Sequence, residues 1–288
     1  MAADIQSTIA SWQPSYWLSA SVLISSAVYC RGWLAIRRTR PLQFPLWRLN
    51  TFLLAMAILW LAIGSPLDAF ADVTLSAHMV EHLLLMSVVP PLVWLSNPTV
   101  PMLRGLPRWL LKHVLGPLIR NRRLRRFTHW LIRPRIAWIV MNVIFLGWHV
   151  PAAYDFALTY ERWHVVEHLC FLFASLLFWW PIIRPWPTGG RVYTWGLILY
   201  LLSADVVNSA LSAFLAFCTR PMYPYYLTQP NPFGFTPLAD QVIGAVIMWV
   251  FGSFAFLIPA VFITIQLLQP ERARSVSKSQ SKDRAYRT

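Results

Sequence analysis

With 57% apolar and only 12% charged residues over 288 positions, the chain falls far below the roughly 25% charge of an ordinary soluble domain, and a lipid-embedded fold follows. Its 16 tryptophans and 15% aromatic content suit membrane–water boundaries, where such rings concentrate. A net charge of +14 would also suit nucleic acid, but the basic residues sort to one side of the apolar runs, which argues against that partner.

The opening MAADIQSTIASWQPSYW has neither the basic start nor the small-residue cleavage site of a secretory leader, so the first apolar run reads as a retained span. Runs able to cross about 30 Å of hydrocarbon occupy 15–36, 47–64, 76–96, 135–150, 163–182, 192–217 and 238–268, the second and fourth being short. They predict an all-α, polytopic membrane helix bundle with about seven transmembrane helices. The bundle is a single domain over 1–270, followed by a polar, basic tail over 271–288 that is expected to be disordered.

Arg31, Arg37, Arg38, Arg40 and Arg48 lie between or beside the first two runs, and ten basic residues from Arg104 to Arg135 separate the third from the fourth. Arg184 and Arg191 join the fifth to the sixth, and six more basic residues follow the seventh. Only Arg162 and Arg220 fall on the other side, where Asp4, Asp68, Asp72, Asp155 and Glu161 collect. Because cytoplasmic loops are the Lys/Arg-rich ones, the N-terminus is expected outside and the C-terminus in the cytoplasm, with anionic lipid drawn to the basic face. The basic loop over about 97–134 mixes leucine and tryptophan with arginine and predicts an amphipathic helix lying on that surface.

Two stretches repeat a pattern: HMVEH at 78–82 and HVVEH at 164–168, each at the outer end of a span. Residues i and i+4 share a helix face about 6 Å apart along the axis, so both imidazoles of a pair can reach one ion between helices. His149 ends the fourth span and Asp240 with Gln241 opens the seventh, all at the same depth as His78, His82, His164 and His168. Glu81 and Glu167 lie about 100° round the helix and are placed to orient an imidazole or balance charge from the outer shell, with Gln241 beside them. Five histidines at one depth on three spans predict a metal site, and imidazole suits copper, zinc, iron or nickel. Two pairs plus His149 exceed the needs of one tetrahedral ion, which suggests two ions or a hand-over between ligand sets. His113 and His129 belong to the basic loop and read as surface residues.

Other readings of the same residues stay open. H-x-x-E-H is also the inverted zinc-protease signature, which makes a membrane zinc hydrolase the alternative, with Glu81 or Glu167 acting on metal-bound water. Haem held by two histidines, a substrate transporter and a metal-free scaffold are the further rivals. Cys30, Cys170 and Cys218 form no metal-binding pair or disulfide framework. Asp205 sits mid-span, Met248 reads as core or as a soft ligand, and Cys218 ends the sixth span on the histidine side.

SPLDAFADVTLSAHMVEHLLLMSVVPPLVWLSNP, GWHVPAAYDFALTYERWHVVEHLCFLFASLLFWWPI and PLADQVIGAVIMW together resemble the multi-span cytochrome c oxidase assembly factors of the CtaG type, from about Ser65 to Trp249. The resemblance implies a seven-helix bundle in the bacterial cytoplasmic membrane that handles copper at its outer face during oxidase maturation. The metal residues it implies are His78, His82, His149, His164, His168 and Asp240. The expected cargo is then copper, with zinc as the alternative, and the expected partners are oxidase subunits and a soluble copper donor. No catalytic residue is expected.

Overall fold

Backbone N–H and C=O groups in hydrocarbon have no water to bond, so uninterrupted apolar runs satisfy them internally as helices. A computed structural model describes residues 2–13, 15–185 and 194–268, and among them there are helices and no strands. Arg191 and the basic tail over 271–288 lie outside the described residues.

After a short helix, Ala2–Ser11, the chain forms α1 (Tyr16–Arg37), α2 (Leu46–Gly64), the short α3 (Pro66–Ala71) and α4 (Leu75–Leu95). Next come α5 (Thr99–Gly105), α6 (Arg122–Leu131), α7 (Pro134–Trp148) and α8 (Pro151–Thr159). The chain continues through α9 (Glu161–Ile183), α10 (Trp195–Phe217) and α11 (Pro237–Leu268). Six of these helices are long and apolar enough to cross a membrane, and the pair α6 and α7 makes up to seven if the two are taken as one span bent by 71°. The protein is therefore a multi-pass membrane protein. Its spans keep Leu199, Val206, Phe251 and Ile258 on the outside, as lipid-facing surfaces should.

The bend before α7 has a local cause. Pro134 begins that helix and cannot continue the previous one, so α6 turns across the end of α7. None of its residues is buried; Leu124, Phe127 and Trp130 share one exposed face while Arg122, Arg123, Arg125 and Arg126 occupy the rest. The helix is thus amphipathic, within the basic loop where an amphipathic helix is expected.

Two cores organise the spans. Tyr29, Trp33, Phe44, Phe52 and Met56 form the smaller one, where α1 meets α2 and the returning segment α5. The crossing of α1 with α5 is so close that a Cβ on Gly32 would lie 1.8 Å from the Pro101 carbonyl oxygen, and one on Gly105 would lie 1.8 Å from that of Val28. The larger core joins α4, α7, α9, α10 and α11 through residues such as Met86, Phe145, Phe178, Leu201 and Phe256, and the histidines sit at its arginine-poor end.

Candidate metal centre

The N-terminus of α4 is held by a residue from the far end of the sequence. The Asp240 carboxylate accepts from the Leu75 N–H at 2.6 Å, from the Ser76 N–H at 3.3 Å and from the Ser76 hydroxyl. One turn on, a Cβ at Gly244 would lie 3.2 Å from Met79 Cγ, so α11 and α4 run in close contact. That contact fixes the register of His78 and His82.

Both HMVEH and HVVEH stand at the N-terminal ends of parallel spans, which brings the two motifs face to face. The ring of His78 lies 4.2 Å from His82, 5.2 Å from His164 and 6.0 Å from His168, centre to centre. Each glutamate reaches the second histidine of the other helix: Glu167 Oε1 lies 3.6 Å from His82 Nε2, and Glu81 Oε2 lies 3.8 Å from His168 Nε2. His78, Glu81, His82, Glu167 and His168 are all buried, and His164 is partly buried.

Two overlapping ligand sets result. His78, His82 and His168 form one, and His78, Glu81 and His164 form the other, with the ligand atoms of each set within 4.8 Å of one another. Two nitrogens bound to one ion at about 2.1 Å stand at most about 4.2 Å apart, so small side-chain rotations of about half an ångström close either set. Eleven buried nitrogens and oxygens of His78, Glu81, His82, His149, His164, Glu167 and His168 have no hydrogen-bond partner. Buried polar atoms are normally paired, and carboxylates are costly to strand in a low dielectric, so such a concentration is a candidate donor set for a cation.

The structure separates the remaining expected site residues. Asp240 is not placed as a ligand: both its oxygens are committed to the N-terminus of α4, which needs an acceptor for its free N–H groups. Gln241 does not stand behind the histidines either. Its amide oxygen accepts from the Met222 N–H at 2.7 Å and its amide nitrogen donates to the Leu215 carbonyl at 3.0 Å, pinning the loop after α10. Glu81, expected in the outer shell, belongs to a ligand set. His149 lies outside both sets, its ring centre 6.0 Å from that of His82, and its Nδ1 donates to the Phe145 carbonyl at 2.7 Å. Asp205 is mid-span on α10, with Oδ1 buried and unpartnered, and Cys218 is a free thiol at the end of that helix.

Two features escaped sequence reading. A roof of tyrosines covers the cluster: Tyr154 lies 5.1 Å from the His78 ring and 4.1 Å from that of Tyr223. Tyr226 donates to the Ala71 carbonyl at 2.9 Å, and Tyr223 donates to the His149 carbonyl at 3.2 Å. Burial pushes the Tyr154 and Tyr226 phenols well above their ordinary range, so the roof stays neutral. Beside it opens a cup of about 410 Å³ lined by Asp68, Asp72, Glu161, Tyr225 and His164. Burial, and then the charges of Asp72 and Glu161, raise Asp68 to about 7. His164 thus faces both the acidic cup and the buried cluster.

The second feature is a π-turn, Leu84–Val88, inside α4. Pro90 has no N–H to offer the Met86 carbonyl four residues back, and its ring displaces that carbonyl. The Trp179 indole donates to it instead at 2.9 Å, which fixes the backbone one turn below His82.

Comparison with known proteins places these residues in a family context. The family model of the cytochrome c oxidase caa3 assembly factors matches residues 27–270. The chain is 24% identical to the uncharacterized protein Mb0105 of Mycobacterium bovis and to the uncharacterized protein MT0111 of Mycobacterium tuberculosis, over 96% of its own length. It spans 42% of the length of these curated relatives. No solved structure matches it.

Proposed function

Because the chain belongs to the cytochrome c oxidase caa3 assembly factor family, we propose that its buried histidine–glutamate cluster carries copper as cargo and supplies it during oxidase assembly. The observation that carries this reading is the set of unpartnered imidazole and carboxylate atoms on two parallel spans, gathered into two ligand triads that share His78. The shared ligand lets the ion leave one triad as it enters the other, with no stage at which all its donors are lost. Exchange of this kind transfers an ion without making or breaking bonds in a substrate, in keeping with an assembly factor rather than an enzyme.

The acidic cup supports an entry route. Asp72 and Glu161 attract cations, and His164, which lines the cup, is the first imidazole an arriving ion would meet. The arginine distribution supports placing this end outside the cytoplasm, facing oxidase subunits and a soluble copper donor.

Metal analysis of the purified protein tests the proposal. His82→Ala and His168→Ala are expected to lower bound copper below the wild-type stoichiometry, whereas His113→Ala, in the exposed loop, leaves it unchanged. Undiminished stoichiometry in both cluster variants would overturn it. Glu81→Gln with Glu167→Gln separates this reading from a zinc hydrolase, since a hydrolase loses turnover completely while a carrier keeps most of its histidine-bound metal.

A further inference from the structure

Below the histidine cluster, toward the bundle interior, lies a cavity of about 40 Å³ between α4, α7, α10 and α11. Met86, Met141 and Met248 line it, and so do His82, His149 and Asn208. A void of this size holds more than one water-sized sphere, so the three methionines border open space, whereas flexible methionines ordinarily fill gaps in a core.

The imidazole of His149 is prepared for this cavity. Its Nδ1–H is spent on the Phe145 carbonyl, so the proton is on Nδ1 and Nε2 carries the lone pair. That Nε2 is buried and has no hydrogen-bond partner, and the residue is 5% exposed. His149 belongs to neither ligand triad above it, while His82 belongs to one and also lines the cavity. The backbone at two of the methionines and the sulfur of the third have fixed partners. The Trp179 indole fixes the backbone at Met86, the Ser175 hydroxyl points at Met141 Sδ from 3.5 Å, and the Asn208 amide donates to the Met248 carbonyl at 3.3 Å.

Resting on the copper-carrier reading above, we infer that Met86, Met141, Met248 and His149 Nε2 form a second, inner metal site selective for the cuprous ion, reached from the histidine cluster through His82. Thioether sulfur is a soft, uncharged donor that favours Cu(I) over zinc and Cu(II). A monovalent ion is also the easier one to bury, because the cost of removing an ion from water grows with the square of its charge. The outer cluster, with hard carboxylates among its donors, accepts divalent ions; the inner site rejects them. The ion moves as Cu(I) throughout, so no electron is transferred.

X-ray absorption on the full chain in lipid nanodiscs, loaded with cuprous ion alone under a reductant, provides the test. Wild type is expected to show sulfur scatterers beside nitrogen, and Met86→Leu/Met141→Leu/Met248→Leu is expected to show nitrogen alone. The same triple variant is expected to lose one equivalent of silver(I), a redox-inert stand-in, and to keep its full zinc stoichiometry. An absorption spectrum of wild type with no sulfur scatterer overturns the inner site without recourse to any variant. So does a triple variant that binds silver as wild type does. Failure of the carrier reading is distinguishable, because there His78→Ala leaves copper unchanged while the sulfur signal is unaffected.

Discussion

Replacing Asp240 by alanine strips α4 of its N-terminal acceptor. Three donors lose their partner, the N–H groups of Leu75 and Ser76 and the Ser76 hydroxyl, and Leu75 is only 3% exposed, so water cannot replace the carboxylate at its N–H. Hydrogen bonds to a charged group contribute about 1.5–3 kcal/mol each and a stranded buried donor costs about 1–3 kcal/mol. Allowing for relaxation of the helix end, a net loss of about 2–4 kcal/mol is expected, roughly 5–10 °C in Tm. Asp240→Asn keeps one acceptor and turns an amide N–H toward the other donor, so it is expected to lose about half as much. Thermal unfolding of detergent-solubilised protein reads the Tm, and metal analysis of the surviving folded fraction reads copper. A strut lowers Tm while the folded fraction keeps its copper. If Asp240→Asn leaves Tm unchanged and removes copper, Asp240 is a ligand and the capping argument is wrong.

Gly105→Ala forces a Cβ to within 1.8 Å of the Val28 carbonyl, and a backbone contact cannot rotate away, so α1 and α5 must separate; a loss of about 3 kcal/mol or more in Tm-based stability is expected. Gly147→Ala, with open space at its Cβ, is the matched control and is expected to be neutral. For Asp68, with its carboxyl raised to about 7, the folded protein keeps a proton that the unfolded chain has released, so stability falls as pH rises from about 4 to 7 and is level above. Asp68→Asn is therefore expected to raise Tm more at pH 8 than at pH 4.5, and an equal gain at both values would refute the assignment. Trp179→Phe leaves the Met86 carbonyl without its indole donor, and Pro90 cannot supply another; a loss of about 1–3 kcal/mol by thermal unfolding is expected.

The span positions were legible because hydrocarbon imposes one rule on every residue of a run, and the runs at 15–36 and 163–182 announce themselves without reference to any neighbour. The two HxxEH motifs were legible for a similar reason: i,i+4 spacing is a property of one helix, and their depth follows from where the apolar runs start. What sequence could not give was the partner of each polar side chain. Asp240 and Gln241 share the depth of the histidines, yet the free N–H groups at Leu75 and Ser76 claim the first and the loop after α10 claims the second. His149 has the same depth but a different azimuth, which only the packing of α7 against α9 decides. The π-turn in α4 and its repair by Trp179 depend on a residue 93 positions from Met86. The tyrosine roof carried no local pattern at all.

The central claim is that the two histidine motifs converge on a single copper-binding cluster hinged on His78. Equilibrium dialysis of purified His78→Ala and His164→Ala against copper tests it most directly, with folding verified by Tm. Since His78 serves both triads and His164 only one, the account predicts that His78→Ala loses the copper held by the histidine cluster, keeping at most the equivalent at the inner methionine site, while His164→Ala keeps a reduced share of the cluster's copper. Wild-type copper binding in His78→Ala would contradict it.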